Sequence, residues 1–383
     1  MRRIGARGTG RCLPGRVAVA LSARSSPRPG RRRDRFRAHL DRSTLSSGSA
    51  ARDDRGRLAR GSSGAASAAG DCGGAVIRPR RLRPGAVVSL VAPAGPLGGG
   101  AVERASERVH GLGWTPRVGR HARNRHGYLA GTDEERLTDL QAAIDSPDND
   151  AIWCLRGGYG TMRILPRLDF RELLQRPRPF IGYSDNTAIH LAIRKLGMVS
   201  LHGPHPATLE FPELTRSELG RMLEGDRAPR LLPFPADGPG VETLVGGTAT
   251  GRLVGGNLSL LAATVGSAFQ LDARDSLVFI EEVSEPAYRV DRLLSQLLLA
   301  GRFEGAAGVL VGAISDRPDA DAPGIPHPRE VVLDRLGGLG IPLAYGFPFG
   351  HIPESWTLPI GIRARFDASA GTLELLEPAV TDD

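Results

Sequence analysis

Phe180-Ile-Gly-Tyr-Ser184-Asp-Asn-Thr-Ala-Ile-His-Leu-Ala-Ile193 reads as a short apolar strand that turns sharply and continues as a helix. The turn falls at Gly182–Asn186. Ala188, Ile189, Leu191, Ala192 and Leu196 supply the helix's apolar stripe, and Gly197 ends it. A serine at such a turn is lifted clear of the sheet, near the positive end of a helix and its free N–H groups. The nucleophile elbow of hydrolases uses this geometry, with a small residue two positions before the serine. Gly182 fills that place, but Asn186 stands where the G-x-S-x-G pattern has its second glycine. On this stretch alone an N-cap is the simpler reading of Ser184. The rest of the chain favours a nucleophile.

Working outward, strands and helices alternate on both sides. Gly85-Ala-Val-Val-Ser-Leu-Val-Ala-Pro-Ala-Gly95-Pro is a β-branched run suited to a parallel strand buried on both faces. A helix over 101–112 and a strand over 114–118 follow. Thr132-Asp-Glu-Glu-Arg-Leu-Thr-Asp-Leu-Gln-Ala-Ala-Ile144 carries an N-cap threonine, an acidic first turn and helical apolar spacing. Ala151-Ile-Trp-Cys-Leu155 is a further buried strand, and it runs into Arg156-Gly-Gly-Tyr-Gly160. The alternation predicts an α/β fold with a mainly parallel sheet over about 80–230.

Between Gly225 and Gly247 the pattern breaks into Pro, Gly and isolated apolar residues, the expected linker to a second, smaller α/β domain over 245–383. There, 251–264 reads as a turn entering a helix, Leu277–Ile280 as a strand ending at Glu281-Glu282, and 288–300 as an apolar-striped helix. Ala307–Gly312 is another strand. Gly346-Phe-Pro-Phe-Gly-His351 and closing strands over 360–376 complete the domain.

The chain has 383 residues, enough for two cores, with 40% hydrophobic residues and no apolar run long enough for a membrane span. Its formal charge of +8 is unevenly placed. Residues 1–80 hold 19 Arg against 5 Asp, a net of +14, which leaves the remainder at −6. That excludes the basic face of a duplex-binding domain, so no nucleic-acid partner is expected. Residues 1–75 are rich in Arg, Gly, Ser and Ala and too poor in apolar residues to offset ordering entropy. They read as a disordered extension or a start site set too far upstream, rather than as a targeting peptide built on 17–23. Cys12, Cys72 and Cys154 form no motif and suit a reducing compartment.

Four loops at strand ends carry groups with chemical potential, at the edge where α/β sheets bind ligands. They hold Arg156-Gly-Gly-Tyr-Gly160, Ser184, Glu281-Glu282 and His351. Serine, carboxylate and histidine in that order can form a triad: the imidazole takes the hydroxyl proton, and the carboxylate fixes its tautomer and stabilises its cation. Gly157-Gly158 could supply one half of an oxyanion hole and the N–H of Asp185 the other. Each has a plainer alternative: a tight turn for the glycines, capping or solvent for the glutamates, an ordinary loop histidine for His351. Gly255-Gly-Asn lacks the Walker lysine and the dinucleotide spacing and reads as packing. His202 and His205 lack a third ligand, and neither a metal nor a cofactor is expected.

Six blocks together resemble the LD-carboxypeptidase family of serine peptidases. They are Val91-Ala-Pro-Ala-Gly-Pro96, Leu129-Ala-Gly-Thr-Asp-Glu-Glu-Arg136, Ile152-Trp-Cys-Leu-Arg-Gly-Gly-Tyr-Gly160, Phe180-Ile-Gly-Tyr-Ser-Asp185, His202-Gly-Pro204 and Gly346-Phe-Pro-Phe-Gly-His351. The resemblance implies Ser184 as nucleophile, Glu281 as acid and His351 as base, with Glu282 standing where the family usually has aspartate. It also implies a site between two domains of a cytoplasmic, metal-free homodimer that removes the terminal D-alanine from murein tetrapeptides. The alternatives are the microcin C immunity branch, which cleaves aminoacyl-adenylate-like amides, and a muropeptide-binding module without catalysis.

Overall fold

The structure is a computed structural model, and it describes residues 76–236, 238, 240–320 and 322–382. The expectations for 1–75, and Cys12 and Cys72 with them, lie outside the described residues.

The first half builds a layer around a largely parallel sheet. Its elements are β1 (Val87–Val91), α1 (Ala101–Gly111), β2 (Thr115–Val118), α2 (Asp133–Asp145) and β3 (Ala151–Cys154). Short helices α3 (Thr161–Ile164) and α4 (Arg171–Gln175) lead to β4 (Phe180–Gly182), α5 (Thr187–Lys195), β5 (Ser200–His202) and α6 (Glu213–Glu224). Thr132 caps α2 reciprocally with Glu135, so this helix starts where its sequence says it should.

The second half opens with β6 (Arg230–Leu231), β7 (Glu242–Val245), the ten-residue β8 (Thr248–Asn257) and α7 (Leu258–Ala263). Then come β9 (Ser276–Val283), α8 (Ala287–Leu299), β10 (Gly308–Ser315), α9 (Pro328–Leu336) and β11 (Leu343–Tyr345). Three strands close the chain: β12 (Leu358–Ile360), β13 (Arg363–Asp367) and β14 (Thr372–Leu375).

Among the described residues these strands form two sheets. The first runs β12-β5-β4-β3-β1-β2, and the second β6-β14-β13-β8-β9-β10-β11-β7. Strands β1 to β5 are mutually parallel, as are β8 to β11 at the centre of the second sheet; the other pairings are antiparallel. The α/β class with parallel strands is thus as the alternation predicts.

Four local expectations are corrected. The segment Gly225–Gly247, expected as a linker, contributes β6 and β7, the two outermost strands of the second sheet. Edge strands need few apolar residues and tolerate flanking Pro, which is why they read as coil. Residues 251–257, expected as a turn, continue the long strand β8 through two glycines. The strand at 277–280 runs on through both glutamates to Val283. Ile360, expected to begin the closing strands of the second domain, instead ends Leu358–Ile360, which adds an antiparallel edge to the first sheet beside β5.

Side chains alternate between faces along each strand, so each sheet feeds two cores. Trp153 and Ile181 of the first sheet and Phe279 and Leu310 of the second share one cluster with Phe347, Phe349 and Trp356. Ile152, Cys154 and Phe180 turn the other way, onto α2 and α5. Val278 and Ile280 turn onto α7 and α8. Helix α5 is buried on nearly every side from Thr187 to Ile193, while Leu196, read as part of its stripe, is exposed. Among the described residues no helix is long and apolar enough to cross a membrane.

Gly255 and Gly256 let β8 pass close to its neighbours. A Cβ on Gly255 would lie 1.9 Å from the Phe279 carbonyl oxygen, and one on Gly256 2.5 Å from Thr187 Oγ1. Both have strongly positive φ, 150° and 142°. The Asn257 N–H then donates to Thr187 Oγ1 at 3.1 Å, which ties the second sheet to the start of α5. Gly255→Ala should destabilise the fold by about 3 kcal/mol or more, from combined overpacking and backbone strain. Gly220→Ala, in the interior of α6 with open space around it, should stabilise by roughly 0.5–1 kcal/mol. Urea melts of the two variants beside the parent check both signs.

Candidate active site

Ser184 stands two residues beyond the end of β4 and opens a 3-10 turn, Ser184–Asn186, that leads into α5. Its φ is +62°, a left-handed conformation that costs a residue with a side chain on the order of 1 kcal/mol. The strain is held in place from several sides. Asn186 Nδ2 donates to the Tyr183 carbonyl at 3.1 Å and lies 3.1 Å from His205 Nε2. Asp185 is 1% exposed; its Oδ2 accepts the Thr161 N–H at 2.8 Å, and its carbonyl accepts the Thr161 hydroxyl at 2.7 Å.

The glycine-rich loop after β3 meets this turn. A Cβ on Gly157 would lie 2.7 Å from Ser184 Cβ and 2.8 Å from its Oγ, so only glycine fits there. Gly158 follows with φ of +106° against Gly95, and Gly95 N–H donates to the Gly157 carbonyl at 2.9 Å. Gly157 is thus the residue packed on the serine, with Gly158 one step further along the exposed part of the loop. Asp185 is the second residue of the 3-10 turn, among the positions whose N–H groups a helix start leaves without an intrahelical partner. Its N atom lies 3.2 Å from the same notional Gly157 Cβ.

Glu281 and His351 meet. His351 Nδ1 lies 2.7 Å from Glu281 Oε2, and the Glu281 side chain is fully buried. Gly350 sits against that carboxylate: a Cβ there would fall 2.8 Å from Glu281 Cβ. Burial pulls the His351 imidazole down, but the hydrogen bond and charge of Glu281 outweigh it, and the ring titrates above its ordinary value. The Tyr183 ring, one residue before the serine, packs on the His351 ring at 4.7 Å between centroids. Ser184 Oγ itself has no hydrogen-bond partner among the described residues.

Glu282 points the other way, as alternation along β9 requires. Its carboxylate accepts from Asn257 Nδ2 at 2.8 Å, from the Ser259 N–H at 2.8 Å and from the Ser259 hydroxyl at 2.7 Å. It therefore anchors the start of α7 and does not face His351. Neither the capping nor the solvent alternative describes Glu281.

The wall behind the turn is made of histidines kept neutral. Burial lowers His190 to about 4 and His205 to about 3, and holds His202 well below its ordinary value. His190 bridges Ser200 Oγ and the Gly182 carbonyl, both at 2.8 Å. His202 packs edge-on to Phe279, with neither ring nitrogen hydrogen-bonded. Among the described residues no group of three His, Cys, Asp or Glu side chains is placed to hold a metal ion. A cleft of about 340 Å³ opens beside this wall, lined by Tyr183, Gly203, Leu209, Glu210, His351 and Pro353 among others.

Sequence reasoning did not find three supports. The Asp185 side chain was passed over for its N–H, although burial drives its carboxyl up to about 6 against the pull of Thr161. Arg136 was not singled out, yet it is 1% exposed and donates to the carbonyls of Pro93 and Gly160. Thr187 carries no local signal, but its hydroxyl accepts the Asn257 N–H. Each lies within one of the quoted blocks or beside it, which is the only signal the sequence offered.

Residues 88–203 match the profile of the LD-carboxypeptidase N-terminal domain, and residues 250–366 that of the LD-carboxypeptidase C-terminal domain. A putative carboxypeptidase of Streptomyces coelicolor is 40% identical over 313 residues, 80% of this chain and 98% of that protein. The murein tetrapeptide carboxypeptidase of Pseudomonas aeruginosa is 35% identical, over 74% of this chain and 93% of its own length. Among solved structures, a muramoyltetrapeptide carboxypeptidase from Oxalobacter formigenes superposes with a TM-score of 0.65 at 29% identity, covering 76% of this chain and 97% of that one. The microcin C7 self-immunity protein MccF bound to glutamyl sulfamoyl guanosine shares the fold, with a TM-score of 0.74 at 23% identity over 80% of this chain and all of that one. Both halves of the chain, with the strained serine in one and the Glu–His pair in the other, are those of the LD-carboxypeptidase family, to which this protein belongs.

Proposed function

We propose that this peptidase is a serine-type LD-carboxypeptidase that removes the terminal D-alanine from murein tetrapeptides. Ser184 attacks the last peptide carbonyl, His351 takes its proton and later returns it to the leaving amine, and Glu281 orients and charges the imidazole. The N–H groups of Gly158 and Asp185 receive the oxyanion. The observation that carries this reading is the 2.7 Å bond between His351 Nδ1 and buried Glu281, which leaves Nε2 as the ring's other nitrogen for the serine. Support for the substrate comes from the murein tetrapeptide carboxypeptidase among the relatives. A cytoplasmic homodimer working in cell-wall recycling belongs to the same proposal. The immunity-type alternative draws on the likeness to MccF.

Purified protein incubated with lysine-type and diaminopimelate-type tetrapeptides, and separately with aspartyl sulfamoyl adenosine, decides between the two by mass spectrometry. Release of D-alanine supports the carboxypeptidase reading; cleavage of the sulfamoyl adenosine alone moves the chain to the alternative. No turnover of either favours a binding module. Ser184→Ala should keep the fold and lower turnover by several orders of magnitude, with a residual rate from binding and oxyanion contacts. Activity near that of the parent would remove Ser184 from the mechanism.

Glu281→Gln should cost on the order of 10⁴ in turnover, the size of the handicap that loss of the carboxylate causes in serine proteases. Glu282→Gln should stay within about tenfold, roughly 1.4 kcal/mol. Its cost should appear instead in a lower melting temperature, since it unsettles the bonds to Asn257 and Ser259. A reversed pair of results would exchange the two roles.

The pH profile follows from His351. The imidazole must be neutral to accept a proton, and its pKa is raised, so the acidic limb of kcat/KM should lie above the ordinary histidine value of about 6.5. In Glu281→Gln the limb should move to lower pH as the stabilisation of the cation is lost. A limb that stays in place would mean another group controls it.

A further inference from the structure

Removing only the last residue of a peptide requires the enzyme to sense a chain end, and the chemical mark of that end is a free carboxylate. The group best matched to a carboxylate is a guanidinium, which is planar and can donate two parallel hydrogen bonds. We propose that Arg156 binds the terminal carboxylate of the substrate and so restricts cleavage to the last residue; this rests on the carboxypeptidase reading above.

Arg156 directly precedes Gly157, the residue packed on Ser184. Its carbonyl lies 3.5 Å from Asn186 Nδ2, the weakest of that amide's three contacts. Its side chain is exposed, and Nη1 donates to the carbonyl of Pro96 in the loop after β1. A guanidinium has five N–H donors. Among the described residues only the contact with Pro96 uses one, and no carboxylate pairs with Arg156.

Its neighbours differ in this respect. Arg136 and Arg163 share Asp133, and Arg123 pairs with Glu103. Arg108 is committed to the carbonyls of Pro206 and Thr208. Among the described residues Arg156 is therefore an exposed cation beside the Ser184 turn that pairs with no carboxylate. An arginine that must accept an incoming carboxylate needs that vacancy, since an internal ion pair would compete with the ligand. Recognition of a charged end also makes specificity strong, because a substrate without the charge leaves the guanidinium without its partner.

The test compares a tetrapeptide bearing a free terminal carboxylate with the same peptide as its terminal amide, by kcat/KM, in the parent, Arg156→Gln and Arg156→Lys. The parent should prefer the acid by about 100-fold, the scale of a pair of charge-assisted hydrogen bonds. Arg156→Gln should lose about that factor on the acid, mostly in KM, and leave the amide within about twofold. Arg156→Lys, which restores charge without the fork, should recover about tenfold of the loss. An unchanged acid-to-amide ratio in Arg156→Gln overturns the proposal and leaves the carboxypeptidase reading standing. That includes the case in which both substrates fall together, which would make Arg156 a support for its loop. A parent enzyme that releases neither D-alanine from the acid nor D-alaninamide from the amide overturns both.

Discussion

The arrangement depends on a close approach between two backbones, that of β8 and that of the first turn of α5. Because Gly256 has no side chain, the Asn257 N–H reaches the Thr187 hydroxyl at 3.1 Å. Thr187 lies three residues after Ser184, and Asn257 pairs in register with Glu281 across the parallel strands β8 and β9. One short chain of contacts thus runs from the serine's helix, through a hydroxyl and an asparagine, to the strand that carries Glu281. A site shared between two sheets can keep its geometry only if the sheets cannot slide, and dense backbone packing at glycine resists sliding better than flexible side chains do.

Within that frame the charge is sparse. Histidines 190, 202 and 205 are buried and held neutral, and the Tyr183 phenol is pushed upward by its own burial. Against this background the Glu281 carboxylate acts on His351 with little competition. A low local dielectric strengthens that pairing and makes the orientation of the imidazole stiff. Asp185 sits nearby yet is committed to Thr161, so it ties the serine's turn to the glycine-rich loop and does not compete for the imidazole.

Much of this was legible in the sequence, for definite reasons. The turn at Ser184 was marked by Gly182 and the switch from a short apolar run to helical spacing, while the reading of Ser184 as more than an N-cap needed the other blocks of the chain. The choice of Glu281 over Glu282 followed from a resemblance, and alternation along β9 sets the two side chains on opposite faces. What stayed hidden was long-range. The nearby Asp133 does not by itself say that Arg136 is buried, since the carbonyls that hold its guanidinium inside are 43 and 24 residues away. The edge strands β6 and β7 carry no apolar alternation, because β6 has only two residues and no residue of either is fully buried, and Pro and Gly around them mimic a linker. Gly255 and Gly256 looked like a turn because a glycine's close contacts belong to the strand it passes, not to its own neighbours.

The antiparallel strand β12 has a consequence for how the chain comes into being. The first sheet is nearly complete by His202, yet its outer edge at β5 is covered only by Leu358–Ile360, and Trp356 just before them fills the core shared with the second sheet. A ribosome must therefore make almost the whole protein before the earliest-made sheet loses its open edge. Until then β5 presents unpaired N–H and C=O groups, the feature that templates pairing with a neighbouring chain. The carboxy-terminal segment works as a latch on the amino-terminal half, and a message truncated before codon 358 would yield a polypeptide with every residue of the Ser184 turn and a sticky flank in place of a finished sheet.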